Sequence, residues 1–516
     1  MSLYRAVATV GGFTLISRVT GFVRDVLLAR MLGAGTEADA FFVAFRFPNL
    51  FRHLFAEGAF SAAFVPLFAR KLEGEGKAAA KRFSDVVFAG LALVLLAMVL
   101  AMELIMPWAI TVFAPGFLET PGKIELTGEL ARIAFPYLFF IALVSLLSGI
   151  QNSLGRFAAA AAAPILLNLC LIVAAIGYGR AWSGTGPGAV LAWAVSISGL
   201  VQFLWLWHHN RKSGMGPGLA LPRWNADVAR LGGRILPGVV GMGVYQINLL
   251  VDTVIASLVS EGAVSWLYYA DRVNQLPLGV VGIAIGTALL PMLSRQIKGG
   301  REDVAAHTQN RGLEFALFLT LPAAAALAAL ALPIVATLFE RGRFAAEDTA
   351  ATAAALTAFA CGLPAHVLVK CLVPGFFARE DTATPVRIAA VCLVSNVVLN
   401  LALMKPLGHV GIATATAVSA WINAGLLGYV LARRGHFRVD SRLLDRAPRI
   451  LAAALAMAGA LAAGQVYADA LPGFAALPAW GRLLVWVGFG AAVYAGFARA
   501  FRAATVAELR QALRRG

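Results

Sequence analysis

The fold is decided by two long apolar segments near the N-terminus, SRVTGFVRDVLLARMLGAGTEADAFFVAFRFPNLFRHLFAEGAFSAAFVPLF, residues 17–68. Their apolar residues run continuously and do not alternate with polar ones. A helix that crosses a bilayer needs about 20 mostly apolar residues. Because lipid offers no hydrogen-bond partner to an open peptide group, such segments must be helical. The stretch therefore predicts two membrane-spanning helices.

The whole chain continues this pattern. Of its 516 residues 60% are hydrophobic and only 14% are charged, and the mean hydropathy is +0.78, whereas a soluble domain has about 25% charged residues. The continuous apolar runs also exclude a barrel. We predict an all-α polytopic membrane protein with fourteen transmembrane helices. They are expected at residues 6–33, 38–68, 84–112, 129–151, 158–179, 187–209, 234–259, 263–294, 313–339, 350–377, 384–404, 409–433, 448–468 and 479–500.

The basic residues indicate how these helices cross the membrane. With this helix count, 29 of the 43 Lys and Arg residues fall at the two termini and in alternate loops, and eight fall on the opposite side. Since cytoplasmic loops carry the excess of Lys and Arg, both termini are expected in the cytoplasm. The net charge of +16 then reflects topology, and nucleic acid is not an expected partner.

An internal repeat divides the chain into two halves. A shift of 225 positions lays VPLFAR, residues 65–70, on LPMLSR, residues 290–295. Six helices separate the copies, so both have the same orientation, as in transporters built from parallel repeats. We predict an N-terminal lobe of helices 1 to 6 (1–210), a cytoplasmic linker (211–233), a C-terminal lobe of helices 7 to 12 (234–435), and two extra helices with a cytoplasmic tail (436–516).

Charged residues inside the predicted spans point to function. An ionised group at a helix centre costs about 2.5 to 3.5 kcal/mol, and such groups usually face a protein interior or a wet cavity. Because the guanidinium group is permanently charged and matches phosphate oxygens in pairs, arginines favour an anionic ligand. The alternative is that they are structural ion pairs with the acids within the spans. The six basic residues concerned are Arg18, Arg24, Arg46, Arg52, Arg272 and Lys370, and the acids are Asp25, Glu57, Asp252 and Asp271.

Other polar features are less specific. Pro48 is expected to bend or break helix 2 at Phe47. His53 and His366 are interpreted as polar packing residues, with proton relay as the alternative. The four cysteines are expected to be packed thiols. No arrangement typical of a catalytic site occurs, so the protein is not expected to be an enzyme.

Three segments resemble the MurJ (MviN) lipid II flippases of bacteria. They are the opening stretch, WLYYADRVNQLPLGVVGIAIGTALLPMLSR at 266–295 and GFFAREDTATPV at 375–386. The resemblance implies an inner-membrane transporter of the multidrug, oligosaccharidyl-lipid and polysaccharide exporter superfamily. It would move the undecaprenyl-pyrophosphate-linked peptidoglycan precursor, lipid II, from the cytoplasmic to the periplasmic leaflet. Helices 13 and 14 of such proteins form a groove for the polyprenyl tail.

The resemblance also implies the site residues. Arginines that bind the pyrophosphate in a cationic central cavity match Arg18, Arg24, Arg52 and Arg272, and Asp39 matches a functional acidic position. Arg46 is a further substrate-binding candidate. An ion site known in some members suggests Asp252, Asn396 and Asn400.

The expected mechanism is alternating access between the two lobes. No cofactor is expected, and transport would draw on the membrane potential or an ion gradient. The partners would be the lipid-linked anionic substrate and membrane phospholipids, with cell-wall synthesis proteins as candidates. The alternatives are a flippase for another polyprenyl-linked saccharide, a cation or drug antiporter of the same superfamily, and a scaffold of a cell-wall assembly complex.

Overall fold

The computed structural model describes residues 3–52, 60–181, 184–218, 220–222, 226–468, 473–474 and 476–503. Within these residues the secondary structure is helical, with no strand. The chain packs as two units, Met1–Ser265 with Arg341–Phe344, and Trp266–Glu340 with Ala345–Gly516. The prediction of an all-α polytopic protein is confirmed.

Within its described residues the first unit contains nine α-helices. They are α1 (Leu3–Leu32), α2 (Thr36–Phe51), α3 (Phe60–Gly74), α4 (Gly76–Phe113), α5 (Lys123–Ala134), α6 (Tyr137–Ser153), α7 (Phe157–Ala181), α8 (Pro187–Lys212) and α9 (Ala226–Ser257). Within this unit α1 packs on α7, α7 and α6 pack on α8, and α2 packs on α5.

The second unit contains most of α10 and the helices that follow it. They are α10 (Ala263–Lys298), α11 (Glu302–Ala329), α12 (Ala331–Phe339), α13 (Ala346–Phe377), α14 (Ala383–Arg433), α15 (Ser441–Val466) and α16 (Ala479–Ala500). Here α13 packs on α14 and α11, while α15 packs on α11 and α16. The helices α13 and α14 approach closely at Gly362, where an added Cβ would lie 2.7 Å from the Cα of Ala417.

Nine segments of the described residues are long and apolar enough to cross a membrane. One of them, α14, has 51 residues and covers the predicted helices 11 and 12, with the chain turning at Gly408 (φ 57°, ψ −138°). Large apolar side chains such as Leu104 and Trp108 are exposed on α4, as expected for a surface that faces lipid. The polytopic class is therefore shown, and the number fourteen stays a prediction.

Several predicted helices differ in detail. Predicted helix 4 is divided at Pro136 into α5 and α6, and predicted helix 9 is divided at Leu330 into α11 and α12. Helix 2 does not break at Phe47, because α2 continues through Pro48 to Phe51, and the alternative of a bend stays a prediction. Residues 53–59, which include His53 and Glu57, lie outside the described residues.

The helix α9 belongs to the first unit, where it packs on α3 and α4. The predicted lobes place the same segment, residues 234–259, in the C-terminal lobe. Packing in a single conformation does not show which helices move together during transport. The lobe boundaries therefore stay a prediction.

Candidate functional site

The two arginines of α1 have different surroundings. Arg18 is exposed, and no ion pair or hydrogen bond of its side chain is found among the described residues. Arg24 is only 7% exposed. Its Nε and Nη2 donate to Oδ1 of Asp25 at 2.9 and 2.7 Å. The predicted ion pair between these neighbours is therefore present, and Arg24 is held in place.

A third contact of Arg24 comes from another helix. Nη1 donates to Oδ1 of Asn168 on α7 at 3.0 Å. The amide nitrogen of Asn168 donates back to α1, to the carbonyl oxygen of Ser17 at 2.9 Å and to Oγ1 of Thr20 at 3.2 Å. Asn168 was not among the site residues predicted from the sequence.

Arg52 follows directly after α2. Its Nε donates to Oδ1 of Asn49 at 2.7 Å, and its backbone N–H caps the helix by donating to the carbonyl groups of Asn49 and Pro48. Two of the predicted substrate-binding arginines are therefore each held by polar side chains of the first unit.

Arg46 lies on α2, and its Nη1 donates to Oγ1 of Thr253 on α9. This contact crosses between helices of the first unit. Asp252, the neighbour of Thr253, is half-buried in the same part of α9. The structure thus gives Arg46 a partner that was not predicted from the sequence.

Asp39 lies inside a closed polar cluster. It is 0% exposed, and its Oδ2 is 2.9 Å from Nζ of Lys123, which is itself 2% exposed. Oδ2 also accepts from the N–H of Gly262 at 2.8 Å, and Oδ1 accepts from the N–H and Oγ of Ser265 at 2.9 and 2.6 Å. The carboxylate is thus used inside the protein, and direct contact of Asp39 with substrate stays a prediction.

A second carboxylate lies near the start of α2. The N–H of Thr36 donates to Oε1 of Glu261 at 2.9 Å, and the Thr36 hydroxyl donates to the same atom. These hydrogen bonds hold the pKa of Glu261 below its usual value. A charged Glu261 thus stabilises the N-terminus of α2.

Arg272 lies on α10 in the second unit. Its guanidinium carbon is 4.7 Å from the centroid of the Tyr268 ring, a distance typical of a cation–π contact. The neighbouring Asp271 accepts a hydrogen bond from Gln275. On α13 the Lys370 side chain lies against Gly282, since a Cβ added there would be 2.9 Å from Nζ.

The ion-site candidates are divided between the units. Asp252 belongs to the first unit, and Asn396 and Asn400, which are 1% and 0% exposed, belong to the second. In the part of the chain that the structure describes, no group of three or more His, Cys, Asp or Glu residues is placed to hold a metal. The ion site stays a prediction.

The cysteines differ in burial. Cys371 and Cys392 are buried as predicted, Cys170 is half-buried and Cys361 is exposed. The prediction of a packed thiol is therefore wrong for Cys361.

The second unit contains an apolar cleft with a volume of 610 Å³ between α11, α15 and α16. Its walls include Pro322, Leu461 and Trp486, and the charged residue Arg499 lies at its edge. The predicted helices 13 and 14 correspond to α15 and α16. The cleft is a suitable place for an alkyl chain, because its lining is almost entirely apolar.

Comparison with known proteins gives consistent matches over most of the chain. The model of the family described as "Lipid II flippase MurJ" matches residues 28–475. A "Probable lipid II flippase MurJ" from Rhizobium meliloti is 48% identical over 526 residues, covering 100% of this chain and 97% of the relative. The "Lipid II flippase MurJ" of Burkholderia cenocepacia is 38% identical over 463 residues, covering 89% of each.

Solved structures agree with these matches. "Lipid II flippase MurJ, inward closed conformation" is similar with a TM-score of 0.80 and 26% identity, covering 95% of this chain and 98% of that one. An inward-facing multidrug resistance MATE transporter has a TM-score of 0.69 at 16% identity, covering 81% and 94%. At that identity the second likeness concerns the fold alone.

Proposed function

Because the chain belongs to the MurJ lipid II flippase family, we propose that it moves lipid II from the cytoplasmic to the periplasmic leaflet of the bacterial inner membrane. The observation that carries the proposal is that the guanidinium group of Arg24, only 7% exposed, is held by hydrogen bonds to Asp25 and Asn168, while that of Arg52 is held by Asn49. Guanidinium groups oriented in this way are suited to the paired oxygens of a diphosphate. The MATE likeness concerns the fold alone and does not favour a drug antiporter.

The four arginines have separate tasks in this proposal. Arg24 and Arg52 are oriented by their contacts with Asp25, Asn168 and Asn49, so their planes are set before substrate enters. Arg18 is exposed and serves as the first cationic contact. Arg272 provides a further cation on α10, and transport proceeds by alternating access. Arg46 and Asp39 support the helices that carry these groups.

The polyprenyl tail has a separate place. We assign it to the apolar cleft between α11, α15 and α16, where an isoprenoid chain replaces lipid without meeting polar groups. The tail then never crosses water, and only the headgroup and diphosphate pass through the protein. Both termini are proposed to be cytoplasmic, in accordance with the distribution of basic residues.

The membrane potential is the proposed source of energy. Moving one charge through 100 mV is worth about 2.3 kcal/mol, so two negative charges leaving an inside-negative cell gain roughly 4 to 5 kcal/mol. An ionophore that collapses the potential should therefore slow transport. Transport that continues at the same rate without the potential would instead favour an ion gradient.

The test uses cells that depend on this gene. Arg18, Arg24, Arg52 and Arg272 are each replaced by Ala and by Lys, and lipid II in the outer leaflet is measured after the wild-type copy is depleted. If lipid II in the outer leaflet decreases with Lys as it does with Ala, the forked geometry of the arginine side chain is required. Arg82, which is exposed on α4, provides the matched control and should tolerate both changes. Normal lipid II exposure in all four Ala variants would contradict the proposed function.

A further inference from the structure

We propose that Asn168 is a positioning residue of the transport site, which fixes the guanidinium plane of Arg24 for a phosphate ligand. The inference rests on the proposed function. Asn168 is 5% exposed on α7, and one amide group joins this helix to Ser17, Thr20 and Arg24, three residues along two turns of α1.

The orientation of this amide follows from its neighbours. A guanidinium group only donates hydrogen bonds, so the atom facing Arg24 must be the amide oxygen. The Ser17 carbonyl only accepts, so the atom facing it must be the amide nitrogen. Both contacts are satisfied by the same rotamer, at 3.0 and 2.9 Å. Asn168 therefore has one orientation in this site.

The position of Asn168 also requires a small residue on α1. A Cβ added to Gly21 would already be 3.4 Å from Nδ2 of Asn168. This is an ordinary van der Waals contact, so an alanine would fit, and only a side chain that extends beyond Cβ towards Asn168 would press on the amide. The small residue Gly21 thus leaves space for the side chain of Asn168, which holds Arg24.

An amide is better suited to this task than a carboxylate. Asp25 already balances the charge of Arg24 through two hydrogen bonds to its Oδ1. A second carboxylate at position 168 would give this group of residues a net negative charge and would repel phosphate. Asn168 supplies an acceptor for the guanidinium group without adding charge, so the arginine is oriented and the site does not become anionic.

The experiment measures binding of undecaprenyl diphosphate to the purified full-length protein in detergent. Asn168→Leu removes the acceptor and should weaken binding about tenfold, the effect of losing a hydrogen bond to a charged group. Asn168→Asp keeps the shape and the acceptor but adds a charge, and should weaken binding further. Thr20→Val breaks one contact between α1 and α7 and leaves the Arg24 contact, so its affinity should stay within about twofold of wild type.

A double-mutant cycle with Arg24→Ala distinguishes positioning from general packing. If Asn168 acts through Arg24, Asn168→Leu has no further effect on binding in the Arg24→Ala background. Equal losses in both backgrounds, or unchanged binding by both Asn168 variants, would overturn this inference alone. Should Asn168→Leu fail to fold, Asn168→Ala, which also removes the acceptor and adds no charge, carries the same cycle. Absence of diphosphate binding by the wild-type protein would overturn the proposed function as well.

Discussion

Replacing Asp39 by Asn is expected to destabilise the protein strongly. The change leaves the ammonium group of Lys123 buried without its counter-charge, 2.9 Å from a neutral amide in place of a carboxylate. Breaking a buried ion pair by removing one partner costs about 3 to 5 kcal/mol. Here both partners are at most 2% exposed, so water cannot replace the lost carboxylate and the upper part of that range applies. A cost of about 4 kcal/mol lowers the folding equilibrium constant roughly thousandfold.

The second perturbation removes the charge that was left behind. Lys123→Met keeps an unbranched chain beside Phe117, whose ring centroid is 4.2 Å from Nζ, and it needs no counter-charge. In the double variant, the amide oxygen introduced at position 39 can still accept from the N–H and hydroxyl groups of Ser265, whereas the N–H of Gly262 loses its acceptor to the amide nitrogen. Replacing a buried pair by uncharged groups of similar volume is often close to neutral, so the double variant should recover at least about half of the loss.

The assay is thermal unfolding of the purified protein at a fixed detergent concentration, with the two single variants, the double variant and wild type compared. A destabilisation by Asp39→Asn below about 1 kcal/mol, or single costs that simply add in the double variant, would refute the reasoning. Growth of cells depleted of the wild-type copy tests transport, not stability. A double variant that is stable but does not support growth would show that Asp39 acts on transport beyond holding the fold.

Two further predictions concern other parts of the structure. Gly342→Ala should lower the unfolding temperature more than Gly76→Ala, because both glycines have positive φ but only at position 342 would the new Cβ meet a backbone atom, the Arg30 oxygen at 2.4 Å. Equal shifts in calorimetry would contradict this close approach. Glu314→Gln should cost about 2 to 3 kcal/mol, because Glu314 accepts from three arginines of α11 and α15. Asp445→Asn, which breaks an exposed pair, should cost less than about 1 kcal/mol in the same unfolding measurement.

The helices could be predicted from the sequence because lipid imposes a minimum length on every apolar run. That rule does not fix how a helix is divided. Pro136 separates α5 from α6. Hydropathy averaged over about 19 residues changes little at a single proline, so it does not reveal this division. For residues 383–433 the sequence predicts two spans, and the structure agrees, because the dihedral angles of Gly408 are not helical (φ 57°, ψ −138°) and divide α14 into two helices.

The partners of the charged residues could be predicted only when they were neighbours in sequence. The pair of Arg24 and Asp25 is an example. Lys123 is one of the eight basic residues on the side opposite the termini, and nothing in its local sequence indicates burial. It lies 84 positions from Asp39, and only the packing of α2 on α5 brings the two together. Asn168 is 144 positions from Arg24 and carries no charge, so reasoning from charged residues could not find it.

The two arginines of α1 contribute differently to the site: one supplies net positive charge and the other supplies oriented hydrogen-bond donors. Arg24 is balanced by Asp25 at 2.7 Å, so it adds direction to the site and little net charge. Arg18 has no such partner among the described residues, so its charge reaches a ligand without compensation. Removing Arg18 should consequently weaken the attraction for any anion and make it less sensitive to salt, because long-range attraction is screened by ions. Removing Arg24 should instead reduce the preference for a diphosphate over other anions, because the lost feature is an oriented pair of donors.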